Sequence, residues 1–165
     1  MAALNAGVLA PDFTLPTVQG GKVSLGEALA KGSVVLVFFK VSCPVCQYAL
    51  PFIERVFQAN RAANVTVLGI SQDKARDTRA FLREYGVTFP VALDDPAKYK
   101  VSNAYGLTNV PTIFYVAPSG EIEVSSVGWS KSDVEAINQK LAEHRDQPPA
   151  TLWRKGEDIQ DFRGG

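Results

Sequence analysis

Cysteine and histidine are scarce in this chain: among 165 residues there are two cysteines, Cys43 and Cys46, and one histidine, His144. A secreted scaffold stapled by disulfides would spread more cysteines along its length. Two cysteines three positions apart would close a tiny loop and restrain little of the unfolded chain, so their spacing argues for reactivity over stapling. A zinc site takes four ligands from cysteine, histidine or carboxylate. No further cysteine supplements the pair, and His144 lies far along the chain on a predicted surface helix, so no metal is expected. The lone histidine has no evident partner for a nucleophilic triad, and neither a Gly-rich phosphate loop nor a paired-carboxylate site is present.

Net charge is also missing, since 17 Lys and Arg balance 17 Asp and Glu. Such a chain offers no long-range field to nucleic acid or anionic lipid, and neither is an expected partner. Arg76, Arg79 and Arg83 recur at helical spacing beside Asp73, Asp77 and Glu84, which describes a solvated helix face. No apolar run approaches the ~20 residues of a membrane span. Residues Met1 to Pro11 lack the basic and apolar regions of a secretory leader, so the expected location is the cytoplasm; an exported chain already cut from its leader would read the same.

What is present is an ordinary globular composition, 46% hydrophobic and 21% charged, fitting one domain with a real core. Residues 1–146 read as that domain and 147–165, opening on Gln147-Pro148-Pro149, as a tail. Phe13-Thr14-Leu15 and Lys22 to Leu25 flank Gly20-Gly21 and predict a hairpin. Leu25 to Lys31 predicts a short helix stopped by Gly32. Val34 to Phe39 is a near-continuous apolar run, as in a strand buried on both faces. A helix is expected from Pro44 to about Ala62, with Pro51 inside it and an apolar face of Phe52, Ile53, Val56 and Phe57. Val65 to Ile70 predicts a second buried strand, and Asp73 a cap for a helix running to Tyr85 and Gly86. A short strand at Val91 to Leu93, a short helix from Pro96 to Tyr105 and a hairpin of Thr112 to Val116 with Glu121 to Val127 follow. Ser132 is the expected cap of a last helix with Val134, Ile137 and Leu141 inward. Strand–helix alternation demands parallel pairing in the first half and the closing hairpin supplies antiparallel edge strands. The fold class is therefore α/β, a mixed central sheet with helices on both faces and an N-terminal β-hairpin extension.

Cys43-Pro44-Val45-Cys46 falls where the buried strand gives way to a helix. A helix N-terminus carries unpaired amides and partial positive charge, which favour a thiolate. Cys43 is thus the expected attacking sulfur. Pro44 suits the first helical position, where its missing amide costs nothing, and stands beside the reacting sulfur as a substrate-contact candidate. Cys46, nearly a turn on, is expected to be more buried and to resolve a mixed disulfide. Pro111 opens the strand Thr112-Ile113-Phe114-Tyr115-Val116; a cis Val110–Pro111 bond would present the Val110 backbone to an extended substrate beside the thiols.

These residues resemble the redoxin branch of the thioredoxin superfamily, which includes the TlpA-like thiol–disulfide oxidoreductases and the AhpC/TSA peroxiredoxins. The similar stretches are Ala10 to Leu15, Val35 to Cys46 and Asn109 to Phe114, with the turn Pro118-Ser119-Gly120, Gly128 and Pro51 also matching. The resemblance spans roughly Leu9 to Ala142 and implies a thioredoxin-like fold. It also implies Cys43 as nucleophile, Cys46 as resolver, Val110 and Pro111 at the substrate, and no dissociable cofactor. The implied partners are a disulfide- or dithiol-containing protein and an electron-donor thiol, with the chain a monomer or weak homodimer.

Two carboxylates common in that superfamily are replaced, by Val37 in the strand before the motif and by Ala49 three residues after Cys46, so the proton acceptor for Cys46 is open. Lys40 is the nearest ionisable residue before the motif and reads as a solvated strand end. A peroxiredoxin-like thiol peroxidase using Cys46 or Cys43 is the alternative; its P-x-x-x-T/S-x-x-C pattern, laid on Cys46, meets Phe39 and Cys43 where proline and threonine should stand. A binding protein with inert cysteines and a redox sensor acting through a partner are the other readings. Trp129 is expected as packing, Tyr48 as a flank of the substrate groove, and Trp153 and Phe162 as tail residues docked on the body or a second subunit.

Overall fold

The computed structural model describes residues 2–165. Thr14–Pro16 (β1) and Lys22–Ser24 (β2) pair antiparallel across a turn in which Gly20 and Gly21 take φ of 102° and 77°, conformations open to glycine. The Ser24 hydroxyl accepts from the Glu27 amide at 3.1 Å and starts α1, Leu25–Lys31. The chain continues through β3 (Ser33–Phe39), α2 (Pro44–Ala59), β4 (Val65–Ser71), α3 (Ala75–Tyr85), β5 (Val91–Leu93) and α4 (Lys100–Ala104). It closes with β6 (Thr112–Val116), β7 (Ile122–Val127), β8 (Trp129–Ser130), α5 (Lys131–Arg145) and β9 (Phe162–Arg163).

The main sheet has the order β5-β4-β3-β6-β7. β3, β4 and β5 run parallel, which requires the helical crossovers α2 and α3, and β6 lies antiparallel to both β3 and β7. Of the closing hairpin only β7 is an edge; β6 is interior, because it takes the free side of β3. Every residue of β3 is buried. Val35, Val37 and Phe39 face a core shared with α2, α3 and α5, while Val34, Leu36 and Phe38 face Leu25, Ala28 and Tyr105 on the other side. Helices on both faces explain the unbroken apolar run. Leu36 faces Phe114 and Phe38 faces Thr112 across the β3/β6 ladder, so the C-terminal end of β3 and the start of β6 are side by side.

Several boundaries differ from expectation for local reasons. α2 stops at Ala59 rather than Ala62, since the Asn60 side chain turns back to donate to the Val56 carbonyl at 2.7 Å. The helix expected from Pro96 begins only at Lys100, because the buried Asp94 carboxylate takes the Val101 and Ser102 amides and the Ser102 hydroxyl at 3.2, 2.8 and 2.8 Å. Ser130, not Ser132, caps α5, accepting from the Asp133 amide at 3.2 Å. Asp73 does not cap α3, whose N-cap is Lys74; its carboxylate instead accepts from the Val41 amide at 2.8 Å.

Residues 147–165 fold back across α2 and α5. Leu152 is buried, and the Trp153 ring packs on Phe52 and Trp129 at centroid distances of 5.6 and 6.2 Å. The Arg55 guanidinium grips Glu157 through two bonds of 2.8 and 2.6 Å and donates to the Leu152 carbonyl at 2.9 Å. β9 then pairs antiparallel with β8, Trp129 facing Arg163 and Ser130 facing Phe162. Trp153 docks on the body, whereas the Phe162 side chain is 63% exposed.

Candidate active site

The end of β3 delivers the chain into Lys40 to Ser42 and then into α2. Cys43 is the N-cap of α2, extended at φ −86° and ψ 115°, and Pro44 follows at the first helical position, exposed. Proline there needs no amide partner, and its fixed φ suits the first turn. The cap is made by sulfur: the Cys46 amide donates to Cys43 Sγ at 3.1 Å. Val41 is held at both ends, its amide by Asp73 and its carbonyl by the Gln47 side chain at 2.8 and 3.0 Å.

The two sulfurs differ in surroundings. Cys43 is half-exposed, whereas Cys46 is fully buried among the residues of α2 and the sheet; both are free thiols. Burial pushes the Cys46 thiol far above the ordinary cysteine range, and its hydrogen bond to Cys43 pushes the same way. The Lys40 backbone opposes this, while the charges of Cys43 and Asp73 raise it further.

The second half of the site comes from the start of β6. The Val110–Pro111 bond is cis. Cys43 Sγ lies 3.4 Å from the Val110 carbonyl oxygen, to which its thiol donates. Pro111 is buried and Val110 half-buried. Residues from two separate segments, 43–46 and 110–111, are therefore brought together. On the outer side of Val110 a cleft of about 210 Å³ is lined by Lys40, Gln72, Tyr99, Asn103 and Asn109. Lys40 sits with its ammonium 5.5 Å from the centre of the Tyr99 ring. Among the described residues no three His, Cys, Asp or Glu side chains gather in a way that could hold a metal ion.

Val37 and Ala49 are wholly buried, so the positions where the resemblance would place carboxylates carry apolar core. Asp73 is the acid whose charge reaches Cys46, although its place before a helical pattern gives it a capping role by sequence. Its signal was available in principle: β3 and β4 are parallel, Phe39 faces Ser71, and residues just beyond the ends of neighbouring parallel strands share a crevice. Gln47 has no comparable signal. Tyr48 lies beside Trp129 at 5.5 Å, but its hydroxyl accepts from the Gln160 amide and Arg163 stands over its ring, so the C-terminal segment takes its exposed side.

The arrangement suits sulfur exchange: one accessible sulfur at a helix mouth, a second held protonated behind it, and a backbone carbonyl alongside. A model of the AhpC/TSA family matches residues 6–125. The thioredoxin-like protein YneN of Bacillus subtilis (strain 168) is 33% identical over 142 residues, which cover 84% of this chain and 79% of that protein. The thiol-disulfide oxidoreductase ResA of Geobacillus kaustophilus (strain HTA426) is 28% identical over 135 residues, covering 81% of this chain and 76% of ResA. The crystal structure of a thiol:disulfide interchange protein of the thioredoxin family from Chlorobium tepidum TLS superposes with a TM-score of 0.69 at 26% identity, over 85% of this chain and 99% of that one.

Proposed function

The chain belongs to the AhpC/TSA family and has the thioredoxin-like fold; from that premise we propose that Cys43 is the attacking sulfur and Cys46 the resolving sulfur of a thiol–disulfide oxidoreductase. Thiol–disulfide exchange is the activity carried by its relatives' names, and this chain is an enzyme of that kind. What supports the assignment of roles is a single contrast: Cys43 is accessible at the cap of α2, while Cys46 is enclosed and held as a thiol.

The Cys43 thiolate attacks one sulfur of a substrate disulfide. The substrate S–S bond breaks, the leaving sulfur departs as a thiolate, and a Cys43–substrate mixed disulfide forms. Cys46 gives up its proton and attacks Cys43 Sγ, the second substrate sulfur leaves and is protonated, and a Cys43–Cys46 disulfide remains. Two electrons pass from the enzyme dithiol to the substrate, and the reverse sequence oxidises a dithiol. The Val110 carbonyl lies 3.4 Å from the reacting sulfur, and Pro44, the next residue along the chain, is exposed. Protein thiols and a reducing thiol partner fit this chemistry. The peroxidase reading has less support, since Phe39 and Cys43 stand where its proline and threonine belong and the relatives bear oxidoreductase names.

Insulin reduction driven by dithiothreitol tests the roles. Cys43→Ser is expected to fall to the uncatalysed rate, and Cys46→Ser to accumulate a mixed disulfide on Cys43 visible as an added mass. Activity in Cys43→Ser at the parent level, or trapping on Cys46 in that variant, would overturn the assignment.

A further inference from the structure

The edge beside Val110 is already occupied by this chain. From Gln160 onward the C-terminal segment is fixed at successive points: the Gln160 amide donates to the Tyr48 hydroxyl at 3.1 Å, the Trp129 indole donates to the Gln160 carbonyl at 2.6 Å, and the Lys131 amide donates to the Asp161 carbonyl at 2.9 Å. β9 continues as an extended strand against β8. Beyond it the Asn109 side chain donates to the Gly165 carbonyl at 3.0 Å. The approach is close enough that a side-chain carbon on Gly165 would overlap the Val110 carbonyl oxygen, and one on Gly128 would press on Arg163 and Gly165. That same Val110 oxygen is the neighbour of Cys43 Sγ.

An extended polypeptide pairing beside a reacting sulfur needs a strip of backbone to pair with. Here that strip, from β8 through Gly128 to Val110, is covered by residues 162–165. We propose that residues 162–165 are an intramolecular competitor for polypeptide substrates: they lie in the strand position such a substrate would take and must be displaced for it to bind. Compact disulfides need no strip of backbone to pair with, so this competitor does not act on them. The inference rests on Cys43 being the attacking sulfur.

Competition of this kind multiplies the affinity for polypeptide by the fraction of molecules with the strip free, and leaves the chemical step alone. The test compares insulin with 5,5′-dithiobis(2-nitrobenzoate) as substrates of the parent, of a chain ending at Asp161, and of Gly165→Val in the full chain. Ending at Asp161 keeps the anchors of Gln160 and Asp161 and removes Phe162, which is mostly solvent-exposed. Gly165→Val keeps every residue from 147 to 164 and forces the last residue away from Val110. The expected result is a fall in KM for insulin of at least about fivefold in both variants, with kcat and the rate on the small disulfide within about twofold of the parent. A synthetic peptide of residues 158–165 should restore the parent's insulin KM to the shortened chain. If Gly165→Val leaves the insulin KM unchanged, or raises it, the competitor is refuted, whether or not the shortened chain folds. If no chain reduces the small disulfide faster than Cys43→Ser, the assignment of Cys43 itself fails instead.

Discussion

Enclosure of Cys46 has a thermodynamic signature that can be measured without any substrate. In the folded chain burial holds this thiol protonated far beyond its ordinary range, and its contacts with Cys43 and Asp73 add to the effect. In the unfolded chain it ionises near pH ~8.5. Below that pH both states keep the proton and the full stability is present. Above it only the unfolded chain releases the proton, so stability falls as pH rises toward the folded value. At pH 10 the unfolded chain gains RT ln(1 + 10^1.5), about 2 kcal/mol, and at pH 7 almost nothing. The assay is urea unfolding of the reduced protein, kept reduced by a phosphine, at pH 7 and pH 10, for Cys43→Ser and for Cys43→Ser/Cys46→Ala, so that the coupled Cys43 thiol titrates in neither. Other groups titrate in this interval in both proteins, and the small cavity left by the substitution costs the same at either pH, so both cancel in the difference of differences. Cys43→Ser should lose about 2 kcal/mol more than Cys43→Ser/Cys46→Ala, a midpoint shift of roughly 1 M urea. Equal losses in the two proteins would show that Cys46 is not held as a buried thiol, and the account of a dormant resolving sulfur would go with it.

Three further outcomes follow from the same structure. Asp73→Asn removes the smallest of the influences that raise the Cys46 thiol, so Cys46 should become slightly easier to alkylate at about pH 10, read by mass-resolved carbamidomethylation; unchanged labelling would show that the Asp73 charge does not reach Cys46. Tyr115→Phe strips the 2.8 Å partner from the buried Ser33 hydroxyl and should cost ~1–3 kcal/mol in urea unfolding with the insulin activity intact, and a loss under ~0.5 kcal/mol would contradict the bond. Arg55 holds the Glu157 carboxyl down at about 2, so that clasp persists from neutral pH until acid approaches that value. Arg55→Met should therefore speed trypsin cleavage after Arg154 and Lys155 several-fold at pH 8, and a cleavage rate equal to the parent's would mean that the clasp does not hold the segment.

The parts of the molecule legible in the sequence are those with a local cause. The unbroken apolar run of β3, the Pro44 start of α2, the glycine stops after α1 and α3 and the Cys43–Cys46 spacing all announce themselves within a few residues. What stayed hidden depends on segments distant in sequence. Asp73 looks like a cap because its neighbours are helical, yet it is claimed by Val41, which only the parallel pairing of β3 with β4 brings near. Ser130 and Ser132 are equivalent by composition, and the pairing of β8 with β9 decides between them by setting where α5 begins. The C-terminal segment reads as a tail with two aromatics to dock, but its course stays hidden because its fixing contacts, from Arg55, Tyr48, Trp129 and Asn109, all lie elsewhere in the chain.

Because β3 and β6 are hydrogen-bonded neighbours, the sulfur and the Val110 oxygen lie just past the facing ends of two adjoining rails, although 67 positions of chain separate them. Lengthening or shortening the loops at 60–64 or 86–90 would leave that spacing untouched, whereas slipping the two rails by a single residue would shift one against the other by ~3.4 Å and turn inward side chains outward. Descendants of such a chain are free to elaborate their connecting loops, and evolutionary change in this architecture should accumulate there while the alignment of the two rails persists.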